Sequence, residues 1–407
     1  MPRAPRRSSV NDSATASEKA VAIALLPWFV LTARDLPWRR TQDPYAIWIS
    51  EIMLQQTQVK TVIPYWQRWM EAFPTVEALA SARSDRVLKL WEGLGYYSRA
   101  RNIHRAAVEI RDQHDARFPT DHATVLELPG IGPYTAGAIC SIAYNQPAPI
   151  LDGNVIRVLC RVWAVPGDPR SGKTNALLWD LATRLVKATQ LFPPQHAPAL
   201  AGNCSALNQA FMELGALVCT PRDPACSSCP LQAVCKAHRT RRVARYPRAV
   251  KRVKATPRRF QVFVVQSGDG VWVGRRVDGG ANAGLWEFPG VELAEGMPSE
   301  PAEDFLRWAG IRPTGLDALL EVKHSITRFR ILTMGHRVHL ALTLRTRLEG
   351  AQILLGWSEA RWVNGETLEA LPLSAAHSRI RAAWREACVG PDGRKGRQDP
   401  IQTRFRG

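Results

Sequence analysis

Leu128-Pro129-Gly130-Ile131-Gly132-Pro133-Tyr134-Thr135-Ala136-Gly137 is the stretch on which the reading of this chain turns. Two glycines two positions apart let a backbone turn tightly and come close to a neighbour. From Thr135 onward, Ala136, Ala138, Ile139, Ile142 and Ala143 form an apolar stripe at helical spacing. A glycine hairpin that opens a helix leaves backbone N–H groups unpaired, a ready seat for an anion such as a phosphate. Eighteen positions after Tyr134, Asp152 stands in Pro149-Ile150-Leu151-Asp152-Gly153-Asn154. A carboxylate in that apolar setting sets the stretch apart from an ordinary helix-turn-helix corner.

Upstream, Tyr45 to Arg68 reads as one helix carrying Ile49, Ile52, Met53, Gln56 and Val59 near one face. Glu51 stands there among tryptophan, isoleucine and methionine instead of in a charged run. Partial burial would raise its pKa and suit it to general acid work. Before it, a helix is expected over Glu18–Arg34 with Val21, Leu25, Trp28 and Phe29 on one face, closed by Pro37. Helices are also expected over Thr75–Trp91 and Ser98–His114, flanking Gly93-Leu94-Gly95-Tyr96-Tyr97. Glycines with an exposed leucine and two tyrosines make a poor core segment and a good probing loop, of the kind that parts base steps.

Downstream, Val155 to Lys187 reads as helical, broken at Pro166-Gly167-Asp168-Pro169, and Ala206 to Leu217 as a further helix holding Asn208, Gln209 and Glu213. Cys219, Cys226, Cys229 and Cys235 follow at once. Four thiolates so close can wrap one tetrahedral metal or one cubane, and spacing alone leaves zinc and iron–sulfur both open. From Lys236 to Arg259 there are eleven Lys or Arg and no acid, a linker that can also track phosphates.

Glu51, the hairpin, Asp152 and the four cysteines together resemble the helix-hairpin-helix DNA glycosylase superfamily that includes endonuclease III, and within it the adenine DNA glycosylases of the MutY type. The resemblance is strong over about residues 20–240 and weaker over 258–345. It implies an all-α helix-hairpin-helix core with an iron–sulfur cluster domain, followed by an α+β Nudix-like domain. The cysteines would then hold a 4Fe-4S cluster, structural in role, with Arg222 presented to DNA. Gln56 and Thr57 would enter the base stack, Leu94 and Tyr96 would probe it, and Gly130 and Gly132 would grip phosphate. Trp38, Arg39 and Gln209 would form the adenine pocket.

The segment from Arg258 changes texture. Phe260 to Val265 alternates as a strand with Gly270 to Gly274 as its hairpin partner, and strands continue through Val338 to Leu344. Gly284-Leu285-Trp286-Glu287-Phe288-Pro289-Gly290 resembles the Nudix entry motif, but the glutamate-rich helix that binds magnesium is missing. In the adenine glycosylases such a domain reads 8-oxoguanine through a Phe-Ser-His triplet. That triplet aligns with Ile326-Thr327-Arg328, after Ser325, so the hydroxyl is kept while the wedge and the last contact differ.

The expected division is a disordered basic 1–17, a cluster domain of 18–44 with 153–238, a six-helix barrel domain over 45–152, a linker at 239–257, the Nudix-like domain at 258–385 and a disordered tail at 386–407. A net charge of +18 over 407 residues points to an anionic partner, nucleic acid first. No apolar run spans a membrane. The N-terminus has no secretory h-region, though its composition also suits an organelle-targeting peptide. The expected location is cytoplasmic, with the bacterial nucleoid, and the expected state is a monomer.

The chemistry implied is hydrolysis of the N-glycosidic bond of adenine opposite 8-oxoguanine or guanine in double-stranded DNA, after flipping the base out. Glu51 would protonate the base and Asp152 would stabilise the sugar cation, their pKa values pushed apart by burial, with Asn154 orienting Asp152 and Tyr134 along the sugar. Relatives that cut the strand carry a lysine where Tyr134 stands, so a monofunctional enzyme leaving an abasic site is expected. A pyrimidine-lesion glycosylase-lyase, a non-catalytic iron–sulfur DNA-binding protein and a Nudix hydrolase are the competing readings.

Overall fold

The computed structural model describes residues 16–193, 200–248, 255–280, 282–294, 300–326, 328–349 and 356–389. The chain divides into two compact units, one made of Met1–Ala82 and Asn102–Lys251, the other of Arg83–Arg101 and Arg252–Gly407. Helices come first: α1 (Ala16–Thr32), α2 (Pro44–Leu54), α3 (Val59–Ala72), α4 (Val76–Ala80), α5 (Ser84–Leu90) and α6 (Ser98–Gln113). They continue with α7 (His122–Glu127), α8 (Pro133–Tyr144), α9 (Gly153–Val162), α10 (Gly172–Ala188), α11 (Asn203–Leu217) and α12 (Lys236–Arg239).

The expected helix from Tyr45 to Arg68 is two helices. Gln56 takes a left-handed φ of 57°, which no α-helix can run through, so α2 stops at Leu54 and α3 restarts at Val59. The start of α2 is fixed by Asp43, whose side chain accepts from Tyr45 N at 3.0 Å, with Pro44 at the first position. The span expected as one helix over Thr75–Trp91 likewise divides into α4, capped by Thr75 on Ala78 N, and α5.

The hairpin joins α7 to α8. Gly130 has φ 78°, and a Cβ there would stand 2.5 Å from Asn102 Cβ, so glycine is required twice over. Gly132 caps α8 and Pro133 opens it, two residues before the stripe begins. At Gly137 a Cβ would fall 2.0 Å from Pro149 O, because α8 packs directly on the segment that leads to Asp152. The side chain of Asp152 accepts from Val155 N at 2.7 Å and so caps α9. Behind the hairpin, Leu25 and Phe29 of α1 share one core with Ile142 of α8, Leu159 of α9, Leu185 of α10 and Phe211 of α11.

Among the described residues the second unit holds a seven-stranded sheet: β1 (Thr256–Ser267), β2 (Gly270–Arg276), β3 (Trp286–Glu287), β4 (Gly290–Leu293), β5 (Gly315–Ile326), β6 (Phe329–His339) and β7 (Trp357–Val363). The order is β3-β2-β1-β6-β5, with β4 on β1 and β7 on β2; β1 and β6 run parallel and the other pairs antiparallel. The unit also contains α13 (Pro301–Ala309), α14 (Arg345–Glu349), α15 (Gly365–Ala370) and α16 (Ala375–Val389). Successive residues of β1 face opposite cores: Val262 and Val264 pack with Ile380 and Trp384, while Phe263 and Val265 pack with Phe305. Glu287 of the Nudix-like entry motif is buried and takes bonds from Trp357 Nε1 at 2.8 Å and Arg276 Nε at 2.6 Å.

Several expectations shift. The strand read through Val338–Leu344 ends at His339, where both partner strands run out, and Leu342–Leu344 is a 3₁₀ turn. Helix α1 already includes residues 16 and 17, and residues 386–389 extend α16, so neither end is unstructured where it is described. The linker keeps short helical turns at Lys236–Arg239 and Val243–Arg245, and β1 begins at Thr256. The rest of the basic N-terminus and tail, residues 249–254 of the linker, and Thr327 lie outside the described residues. Residues 83–101, expected inside the barrel domain, group with the sheet.

Candidate active site

A cavity of about 840 Å³ opens in the first unit, and Glu51, Tyr134, Asp152 and Asn154 all line it. Glu51 comes from the interior of α2 and is 5% exposed, because the helix is apolar on nearly every side. It is therefore no solvated helix glutamate. Burial pushes its carboxyl up to about 7; the Tyr134 hydrogen bond opposes that rise, nearby Asp152 adds to it and Arg39 subtracts from it. Tyr134, on the first turn of α8, donates its hydroxyl to Glu51 Oε2 at 2.7 Å and lies 3.2 Å from Met212 Sδ. Burial and the two carboxylates hold the Tyr134 phenol well above its ordinary range.

Asp152 sits at the mouth of α9. Burial raises its carboxyl as well, against the N–H donors of Val155 and Asn154 and the charge of Arg157. Burial thus moves both acids upward from their ordinary values, Glu51 to about 7. Asn154 Nδ2 donates to Asp152 Oδ2 at 3.1 Å. Asn154 is itself held: Arg157 Nη2 donates to its Oδ1 at 2.7 Å and to Gly215 O at 2.6 Å, while Arg157 Nε donates to Cys219 O at 2.7 Å.

The residues expected to meet adenine also line this cavity. Trp38 is buried on the 3₁₀ turn Pro37–Arg39, edge-on to Trp66 at 6.0 Å. Arg39 lies over Phe29, and Gln209 donates to Ser205 Oγ at 3.1 Å. Sequence reasoning passed over Glu213, one helical turn beyond Gln209 and fully buried in the same wall. Burial would raise its carboxyl, but Arg34 and Arg39 reverse this and hold it at about 2. Arg34 grips it with Nε at 2.8 Å and Nη2 at 2.7 Å, and Arg39 Nη2 adds a bond at 3.0 Å. The i, i+4 spacing of Gln209 and Glu213 was the available signal; the partner Arg34, 179 positions away, was not visible.

Gln56 and Thr57 sit on the turn after α2 at the cavity rim, Gln56 exposed and Thr57 half-buried. Gly132 reaches the same rim. Arg222 is exposed in the cysteine segment.

The four cysteines line one pocket together with Val158, Leu214 and Leu231. Arg161 is buried beside them, donating from Nη1 to Cys219 Sγ at 3.3 Å and to Thr220 O at 2.7 Å. Among the described residues no set of three or more His, Cys, Asp or Glu stands close enough to hold a single metal ion. The four thiols share that lining with a buried guanidinium, whose charge suits thiolates.

In the second unit, the Gly93–Tyr97 loop departs from expectation. Leu94 is 6% exposed, and Tyr96, at 41%, is the outward side chain. Arg99 does this: its Nη2 gathers Leu94 O and Gly95 O, and its guanidinium lies between the rings of Trp91 and Tyr96. Ile326 pairs with Phe329 where β5 meets β6, and Ser325, Ile326 and Arg328 are exposed there, Arg328 over the Phe329 ring at 5.1 Å. On α13, Asp304 is buried and bonded by Arg307.

Residues 49–184 match the HhH-GPD superfamily base excision DNA repair protein family and residues 261–383 match the NUDIX domain family. The chain is 36% identical over 418 residues to the adenine DNA glycosylase of Rattus norvegicus, covering 89% of this chain and 77% of that one. It is 35% identical to the adenine DNA glycosylase of Homo sapiens, covering 88% of this chain and 72% of that one. A thermostable thymine-DNA glycosylase of known structure covers 55% of this chain and 97% of its own at 26% identity, with a TM-score of 0.48. Among the described residues no helix is long and apolar enough to cross a membrane. With a helix-hairpin-helix core, a Nudix-like sheet domain and these relatives, the chain belongs to the adenine DNA glycosylases, hydrolases of N-glycosyl bonds.

Proposed function

We propose that the protein removes adenine paired with 8-oxoguanine or guanine from double-stranded DNA and leaves an abasic site, without cutting the strand. The observation that carries this reading is Glu51, a buried carboxyl bonded by Tyr134 in the same cavity wall as Asp152, where burial pushes it up to about 7. Adenine leaves poorly as an anion, so Glu51 delivers a proton to the ring as the bond lengthens. Asp152, held by Asn154 and Val155 N, faces the positive charge that develops on the sugar. Tyr134 anchors Glu51 and lies where the sugar would enter. It has no amine to form a Schiff base.

The flipped adenine would enter between Trp38, Arg39 and Gln209, with the Arg34–Glu213–Arg39 cluster stiffening the wall. Gln56, Thr57, Gly130, Gly132 and Arg222 would contact the duplex, with Tyr96 as the entering side chain of its loop in place of Leu94. Ser325, Ile326 and Arg328 would read the oxidised guanine, together with Thr327. Cys219, Cys226, Cys229 and Cys235 would hold a 4Fe-4S cluster, which when bound supplies structural cross-linking of the segment that bears Arg222 and that Arg157 ties to Asn154.

Single-turnover base release from duplexes carrying adenine opposite 8-oxoguanine, guanine or thymine tests the reading. Fast release opposite 8-oxoguanine, slower opposite guanine and none opposite thymine is the expected order. Equal rates opposite both purines would remove the lesion-reading assignment, and no release from any duplex would remove the substrate assignment.

A further inference from the structure

The loop Gly93–Tyr97 is fastened from a distant part of the sequence. Tyr97 donates its hydroxyl to Leu373 O at 2.8 Å and is itself 3% exposed. Just before the loop, Glu92 accepts from Arg381 Nη2 at 3.1 Å and from Lys89 Nζ at 2.8 Å, and Lys89 also donates to Leu371 O at 3.1 Å. Arg381 projects from α16 and is 8% exposed. Its Nη1 gathers the carbonyls of Leu368, Glu369 and Leu371, at 3.1, 3.3 and 3.4 Å, where α15 ends. One guanidinium therefore fixes both the Leu371–Leu373 segment and the residue that starts the loop.

The loop needs such fixing. Tyr96 holds a left-handed φ of 49°, between glycines with φ 103° and 68° upstream and the buried ring of Tyr97. A side chain kept in that region persists only where its surroundings over-determine it. Arg99 supplies the inner ties, and Tyr97 and Glu92 supply the outer ones.

We infer that Arg381 and the Leu371–Leu373 segment are positioning elements for Tyr96, so that the lesion-reading unit itself aims the side chain that enters the duplex. The inference rests on the reading of this loop as DNA-entering. Arg381 touches no substrate in it; it acts through Glu92 and the backbone beneath Tyr97. A charge-assisted bond to a half-buried carboxylate is worth enough to shift such an orientation about tenfold in population.

The test uses the full-length protein in a Glu51→Gln background, which blocks turnover. The DNA probe is a duplex with adenine opposite 8-oxoguanine and 2-aminopurine at the adjoining step, whose fluorescence rises when that step is unstacked. Tyr96→Ala, Arg381→Gln, Arg381→Lys and Tyr97→Phe are compared at saturating protein. The expected result is loss of the fluorescence rise in Tyr96→Ala and Arg381→Gln, with Kd weakened about tenfold, and recovery of the rise in Arg381→Lys. A helix that merely supported the fold would not move this signal in protein that melts as the parent does. Should Arg381→Gln fail to fold, Tyr97→Phe alone decides, since it removes one hydroxyl and is expected to lower the rise. A full rise in Arg381→Gln or, in that case, Tyr97→Phe, beside a lost rise in Tyr96→Ala, overturns the positioning role and keeps the loop reading. A full rise in Tyr96→Ala overturns the loop reading and the inference with it.

Discussion

Tyr134 reaches Glu51 Oε2 with a 2.7 Å hydrogen bond from the first turn of a different helix, 83 positions away. The bond joins the hairpin to the proposed acid. A hydroxyl donor stabilises the ionised carboxylate, yet burial outweighs it and leaves Glu51 at about 7. The acid is therefore half-loaded near neutrality, in the wall of the cavity.

Activity should follow that titration. Because Glu51 must be protonated, kcat/KM falls as pH rises through about 7; because Asp152 must be ionised, it also falls in acid, beginning above the usual aspartate range. Glu51→Gln should lower single-turnover release by about 100- to 10,000-fold, the worth of one general acid, and keep duplex binding. A rate that rises steadily from pH 6 to pH 9 would contradict the assignment.

The same titration has a stability cost with a definite sign. A carboxyl whose folded pKa is raised favours the fold at low pH and loses that contribution as pH climbs from its ordinary 4.5 to about 7. Glu51→Gln should therefore stabilise the protein above pH 7, by about 3 kcal/mol at most, and should be neutral below pH 4.5. Urea denaturation of both proteins at pH 4.5 and pH 8 checks the difference.

Strand cleavage should be absent. Borohydride added during turnover should trap no stoichiometric protein–DNA adduct, because Tyr134 offers no amine. Denaturing gels of the reaction, with and without hot alkali, give the reading; an adduct at enzyme stoichiometry would refute the monofunctional assignment.

Glu213→Ala should be costly. It leaves Arg34 and Arg39 without the carboxylate that both grip, and breaking such a buried pair costs about 3 kcal/mol, the lower end of the usual range, since Arg34 still reaches water. Chemical denaturation reports the loss, and a weakened hold on adenine should appear as reduced release even at temperatures where the variant is folded.

Arg157→Ala should slow base release about tenfold, the effect of one lost charge-assisted bond, while leaving duplex affinity within a factor of two or so. It frees Asn154 from the bond that fixes its side chain, and Asn154 in turn orients Asp152. Rates at saturating enzyme, compared with Kd on the same duplex, separate this from a binding defect.

What the sequence made legible was local. Gly132 and Asp152 act through the few residues beside them, so spacing was enough to place the hairpin and the cap. Glu51 was legible because its neighbours on α2 are apolar. Glu213 was not: its partner Arg34 lies in a loop near the other end of the first unit's sequence. Leu94 reads as exposed among glycines, yet Arg99 folds the loop so that Tyr96 takes the outside. Alternation continues past His339 in the sequence, but a strand ends where its partners end, and periodicity carries no record of that.

The 2.0 Å gap at Gly137 sets a limit on mutational drift. Any side chain there must push Pro149 away from α8, and Pro149 is three residues from Asp152. Residues 135–143 of α8 are all buried, so a side chain at Gly137 has no open side to turn to, and its strain passes through Pro149 toward Asp152.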